Sequence, residues 1–375
     1  MRKFTGAFLA FFVFCYTCFF VSDVCRAEER AYKILFVTLD DAVKRALETN
    51  LDIKLADLDV DRAREVMDYA WDAHNKQLIN TYQPTSQLYI SLPPDRDAFP
   101  FMMKSNRGYH IQKKIFEIKK DALTLNVKRS YYDVLMKRKE LLMLESALKK
   151  AEYEYMSAKV KKDAEMAADV ELMSAISAVE SAEAEVGKKR AELENAKKDF
   201  CEITGLPIGA NIVLVDDLSF EEIEIPSLCT AVAFATSLEH NPYLWILKEQ
   251  YELQCYIWSY TQPDEAGKID KEKLYIEYKK GRLNIEKKMH TVYENLMSLE
   301  KAHKSAETAL LTAKKALKTA KIMQKNGMVT EIDVLKREAD VKKAEVVLLK
   351  TAYNYELAKE TFLKPWLLAD LETKA

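Results

Sequence analysis

Ile285 to Ala320 reads IEKKMHTVYENLMSLEKAHKSAETALLTAKKALKTA, and the spacing of its apolar residues decides the fold. Steps of three and four taken alternately pick out Ile285, Met289, Val292, Leu296, Leu299, His303, Ala306, Leu310, Ala313, Leu317 and Ala320. A mean step of about 3.5 residues keeps one seam turned toward a partner helix and marks a coiled coil rather than an ordinary surface helix. The same spacing downstream gives Val341, Ala344, Leu348, Thr351, Tyr355, Ala358 and Phe362. Earlier in the chain it gives Leu141, Leu144, Leu148, Ala151, Tyr155 and Ala158, facing Ala175, Val179, Ala182, Val186, Leu193, Ala196 and Phe200. Alanine at so many seam positions lets helix backbones approach closely. Composition agrees, since 8 Gly and 9 Pro in 375 residues belong to long helices and not to sheets.

Outward from these seams the helix boundaries are legible. Thr38 caps a helix with apolar positions Leu39, Ala42, Val43, Ala46 and Leu47, and Asp40 and Asp41 suit its positive end. Asn50-Leu51-Asp52 interrupts it, and a second helix runs to about Asn80. Thr81 to Tyr109 holds Pro84, Pro93, Pro94, Pro100 and Gly108 and is predicted to be non-helical. Helix returns from about Ile111 to Lys162, resumes through Asp169 to Ile203, and stops at Gly205-Leu206-Pro207. The order then repeats. Ser227-Leu228 opens a helix broken at Asn241-Pro242, and the next ends near Tyr260. After a linker from Thr261, one long helix runs from about Ile269 to Lys325, breaks at Asn326-Gly327, and returns from Thr330 to Leu363. Asn50-Leu51-Asp52-Ile53 answers Asn241-Pro242-Tyr243-Leu244, and Asp169-Val170 answers Asp333-Val334, so the chain reads as a duplication. From Ile269 to Lys325 is about 85 Å of helix, a length over which a two-helix hairpin leaves its outer faces unburied and requires further helices.

Residues 1–27 read as a secretory signal peptide: Arg2 and Lys3, an apolar run from Ala7 to Val21, and a cleavage pattern ending at Ala27. The remainder divides into a first repeat, 28–226, and a second, 227–375, of an exported protein. With 57 Lys+Arg against 59 Asp+Glu the chain offers no electrostatic reason to bind nucleic acid. Beyond the leader only Cys201, Cys229 and Cys255 remain, without metal-ligand spacing, and read as small buried residues. None of the five histidines lies in a metal or nucleophile motif, and His303 on the seam reads as a core or pore-lining residue. There is no His-Glu-x-x-His, no Gly-x-Ser-x-Gly and no phosphate loop, and the carboxylates are matched by lysines at helical spacing. The expectation is a protein with no catalytic, cofactor-binding or metal-binding residue, and so not an enzyme.

These residues resemble the TolC family of outer-membrane efflux and secretion proteins over nearly all of the chain past the leader. Thr38 to Asn50 is similar to the family's opening helix; Ala151 to Gly209 and Lys314 to Leu363 are similar to its two later hairpins. The most specific piece is Asn326-Gly327-Met328-Val329-Thr330-Glu331-Ile332-Asp333-Val334-Leu335. The resemblance implies an all-α protomer of a twelve-helix barrel, built as two tandem long antiparallel coiled-coil hairpins and assembled as a homotrimer. It implies that Gly327, Met328, Val329 and Thr330 form a tip docking a periplasmic adaptor protein, and through it an inner-membrane pump. It implies a place for Asp333 at the tunnel entrance. Lys336 stands where the family often has a second acidic residue, Val329 where some members carry a gating arginine, and the first-copy tip, Lys162 to Asp169, lacks the glycine.

The linkers depart further. A membrane barrel would need strands of about 9–11 residues from each. Only Gln87 to Leu92 is strand-like in the first linker, the second is too short for one spanning strand, and Lys273 to Tyr278 reads as helix. Little or no β-barrel is therefore expected. Two functions fit: a TolC-like channel component of an efflux or type I secretion assembly, or an exported coiled-coil interaction protein that has lost conduction. The adaptor of such machines, a third class, would need a strand-rich domain that the sequence lacks.

Overall fold

The computed structural model describes residues 34–81, 98–164, 166, 168–216, 220–222, 238–261 and 263–368. In chain order these form β1 (Leu35–Val37), α1 (Leu39–Thr49), α2 (Leu51–Thr81), α3 (Ala98–Asp163) and α4 (Asp169–Thr204). Then come β2 (Ile212–Leu214), α5 (Pro242–Thr261), α6 (Asp264–Lys325), α7 (Glu331–Leu363) and a single 3-10 turn at Pro365–Leu368. The architecture is the all-helical one expected. The signal peptide, the strand-like Gln87–Leu92, the helix opening at Ser227, Cys229 and the repeat boundary after residue 226 lie outside the described residues.

The chain forms two compact units, Met1–Glu48 with Ser130–Asp217 and Thr49–Arg129 with Leu218–Ala375, so α3 supplies residues to both. In the first unit, α4 runs back along the latter part of α3. Tyr131 meets Phe200, Lys189 pairs with Glu140 at 3.0 Å, and Lys161 pairs with Glu171 at 3.9 Å. Partner numbers fall as the other strand's rise, which is an antiparallel hairpin. β1 and β2 pair in parallel with Leu35 opposite Ile212. Three residues each are too few for a periodic signal, and the sequence gives no warning of them. Tyr131, fully buried, ties them to α3: its hydroxyl donates to the Val37 carbonyl at 3.3 Å and accepts from the Asp216 N–H at 3.0 Å. The Asp216 carboxylate in turn accepts from the first N–H of α1, at Leu39, at 2.6 Å.

In the second unit three helix pairs are antiparallel. Tyr69 meets Phe101 between α2 and α3, Tyr251 meets Tyr275 between α5 and α6, and Tyr293 meets Phe362 between α6 and α7. The α6 seam is as spaced in the sequence: Ile285, Met289, Leu296, His303, Ala306, Leu310 and Ala320 are buried. Ile285, Met289 and Leu296 join Tyr355, Ala358 and Phe362 of α7 and Leu244 of α5 in one core. Close packing of α5 on α6 rests on Gly267, where a Cβ would fall 2.8 Å from Cε3 and 3.0 Å from Cβ of Trp258. The duplicated breaks are real caps. Asn50 Oδ1 accepts from the Ile53 N–H at 3.1 Å, and Asn241 Oδ1 from the Leu244 N–H at 3.2 Å.

The segment predicted to be non-helical up to Tyr109 is corrected by α3, which begins at Ala98. Pro100 sits in the first turn, where a missing N–H forfeits no intrahelical bond, and Gly108 costs about 1 kcal/mol that burial of neighbours outweighs. Met102 is buried, and Arg107 pairs with Glu249 of α5. Likewise α6 starts at Asp264 directly after Pro263, ahead of Ile269. Cys201 is a free buried thiol whose pKa burial raises, as a small apolar residue would be placed.

Candidate functional site

At 62 residues α6 is about 93 Å long, and its far end is the tip singled out in the sequence. The reversal follows from local chemistry. Gly327 takes φ 69°, a left-handed conformation that side-chain-bearing residues resist. Its N–H donates to the Gln324 carbonyl at 2.9 Å, and the Met328 N–H to the Met323 carbonyl at 2.9 Å, the paired bonds that close a helix on a glycine. Gly205, at φ 63°, ends α4 the same way through Leu206 N–H to Cys201 carbonyl at 2.9 Å.

The return helix opens on a reciprocal cap. Thr330 Oγ1 accepts from the Asp333 N–H at 3.3 Å, while Asp333 Oδ2 accepts from the Thr330 N–H at 2.9 Å and its hydroxyl at 2.7 Å. The hydroxyl bond from Thr330, then its backbone N–H, hold the Asp333 carboxyl below the usual carboxylate range, and Lys336 and Arg337 add to this. The group therefore stays ionised, and the cap's stabilisation is present above the ordinary carboxylate pKa and is lost as pH falls through the lowered value. Gln324 bonds Glu331 across the turn, and Lys321 pairs with Glu338 at 2.8 Å between the two arms.

The structure thus brings Gly327, Met328, Val329, Thr330 and Asp333 together at one apex. Met328 is 69% exposed and Val329 half-buried, while Val334 and Leu335 begin the buried seam. Such a surface offers apolar contact over a hydrogen-bonded turn. Among the described residues no group of three or more His, Cys, Asp or Glu gathers as for a metal, and no helix is long and apolar enough to cross a membrane.

The first hairpin closes differently. Without a glycine, the Met166 N–H donates to the Lys161 carbonyl at 2.8 Å, Ala168 is extended with no side-chain cap, and Lys162 pairs with Asp169 at 2.5 Å. That lysine holds the Asp169 carboxyl below its usual range. Met166, Val170 and Met173 are 70–76% exposed there, apolar residues that seam spacing does not pick out because all three lie off the seam. The signal lay in that displacement: apolar residues placed where a solvated face would carry charge.

No protein-family model and no curated protein matches the chain. Solved structures do match. The CmeC outer membrane channel of Campylobacter jejuni aligns with a TM-score of 0.67 and 14% identity, covering 90% of this chain and 87% of that one. The outer membrane protein VceC of Vibrio cholerae gives 0.63 and 11%, covering 87% and 96%. The MtrE outer membrane channel of Neisseria gonorrhoeae, in its open state, gives 0.62 and 14%, covering 88% of each. These are TolC-family outer-membrane proteins, and the chain has their fold.

Proposed function

We propose that this protein is the channel component of an export assembly of the cell envelope, working as a homotrimer and docking a periplasmic adaptor through Gly327–Thr330. The observation that carries the reading is the tip itself. A fold shared with outer-membrane channels ends the 62-residue α6 in a glycine-closed, doubly capped turn that holds Met328 out to solvent. Trimer formation is supported by apolar stripes left bare at coiled-coil spacing. Leu51, Leu55 and Leu58 on α2 are 60–72% exposed, and Ile269, Ile276 and Leu283 on α6 are 44–65% exposed. In a trimer, Asp333 would stand once per chain near the tunnel entrance, its carboxylate kept charged by the cap. No catalytic residue, cofactor or metal enters this reading, and an inner-membrane pump would be reached through the adaptor.

A second reading, an exported coiled-coil interaction protein without conduction, is favoured by one observation. Only Gln262 and Pro263 separate α5 from α6, so that connection contributes no spanning strand. The two readings share the fold and differ at the tip. A photo-crosslinking amino acid placed at Met328 in cells should capture a protein with helical hairpins of its own. The same label at Lys301, exposed midway along α6, should not. Equal capture from both positions, or none from Met328, would favour the second reading.

A further inference from the structure

Residues 220–222, on the connection from β2 to α5, lie across the α6–α7 hairpin at His303 and Tyr355, far from the tip. Phe220 fills a slot between two helices. Its ring stacks on His303 of α6, centroids 3.7 Å apart and planes 6° from parallel, and lies 4.6 Å from the Tyr355 ring of α7 at 46°. Ion pairs flank it on both sides. Glu222 pairs with Lys304 at 3.0 Å, and Glu221 with Lys359 at 3.9 Å. Lys359 Nζ also donates to the Glu221 carbonyl at 3.5 Å. His303 is 4% exposed, and its Nδ1 has no hydrogen-bond partner, with a Glu307 carboxylate oxygen 4.0 Å away. An imidazole in that setting is stable as a neutral ring and poorly placed as a cation.

We propose that Phe220, His303 and Tyr355 form an acid-sensitive clasp, closed while His303 is neutral and released when His303 takes a proton, freeing the 220–222 segment from the hairpin. Among the described residues, the titratable and charged groups on the elements packed around the imidazole include Glu221 and Glu222 on the segment, Glu300, Lys304 and Glu307 on α6, and Tyr355, Glu356 and Lys359 on α7. Among them Glu300 and Glu222 are held by Lys304, and Glu356 by Lys359 at 3.6 Å. Glu307 is the carboxylate on α6 nearest to compensating a cation, and it is 59% exposed, so solvent weakens its pull. Burial accordingly lowers the imidazole pKa, and Glu307 and Glu222 only partly offset that. With the clasped value below the released one, the closed state binds fewer protons. Clasping is at full strength above about pH 6.5 and weakens as pH falls from there through the lowered value.

Amide hydrogen exchange of the full mature chain tests this, corrected for the intrinsic pH dependence of exchange. Protection around residues 220–222 should drop several-fold between about pH 7.5 and pH 5.5, a window below which carboxylates alone would act. His303→Phe keeps a ring in the slot and removes the proton site, and should hold protection constant across the window. Phe220→Ala should leave the segment equally unprotected at both pH values, whether or not the His303 variant folds. Wild-type protection that does not change with pH overturns the clasp. So does an equal drop in His303→Phe, which would assign the effect to Glu221, Glu222 or Glu307, and so does a Phe220→Ala protein as protected as wild type.

Discussion

Met328→Asp should abolish export and crosslinking to the adaptor while leaving the melting temperature close to that of the wild type. The side chain is 69% exposed at the apex and touches neither the seam nor the cap, so stability has little to lose. Its backbone N–H, which closes α6 on the Met323 carbonyl, survives the substitution. A surface change of this kind typically moves folding by about 0.5 kcal/mol or less. Docking is different: a carboxylate buried unpaired at the centre of an apolar contact costs about 2–5 kcal/mol, or roughly a thirtyfold to several-thousandfold loss of affinity. Gly327→Val separates the effects from the other side. It strains a left-handed residue and should harm stability and docking together, by about 1 kcal/mol or more. Normal export by Met328→Asp would reduce the tip to a hairpin turn and leave the structural reading standing.

Tyr131→Ala should be among the most destabilising single substitutions in the first unit. The ring is fully buried, edge-on to Phe200 with centroids 5.9 Å apart, and its hydroxyl joins the backbone at Val37 to that at Asp216. Truncation removes the packing and leaves a cavity, at about 3–5 kcal/mol. It also unties Asp216 from α3, and with it the carboxylate that caps Leu39. Tyr131→Phe keeps the ring and loses only the hydroxyl, so about 1 kcal/mol is expected. Urea titrations followed by circular dichroism measure both. Equal midpoints for the two variants would show that the hydroxyl, and not the packing, holds β1 and β2 in place.

How far the sequence carried this fold depends on the range of each signal. The α6 seam was readable because eleven positions at one spacing repeat over many turns, and burial follows them from Ile285 to Ala320. The tip was readable because Gly327, Thr330 and Asp333 act on neighbours within five residues, through bonds that local geometry dictates. The sequence placed Asp333 in the first turn on grounds of the helix dipole; the structure adds that it is the reciprocal partner of Thr330. The echo of Asn50 in Asn241 proved to be a shared cap, whereas Asp169 and Asp333 fall at different positions of their helices. What was missed depends on contacts distant in sequence. Pro100 and Gly108 look like breakers until Met102 and Arg107 are seen packed and paired. β1 exists only because β2, 177 positions on by register, lies beside it. Phe220 carries no periodic context at all, yet it fills the slot between His303 and Tyr355.

Sedimentation equilibrium of the chain from residue 28 onward, in detergent-free buffer, tests the central claim most directly. The stripes on α2 and α6 are exposed among the described residues and, in a channel, would be covered by neighbouring copies. The expected result is a soluble species with the mass of three chains, persisting at micromolar concentration. A stable monomer under those conditions, with the stripes still exposed, would contradict the channel reading.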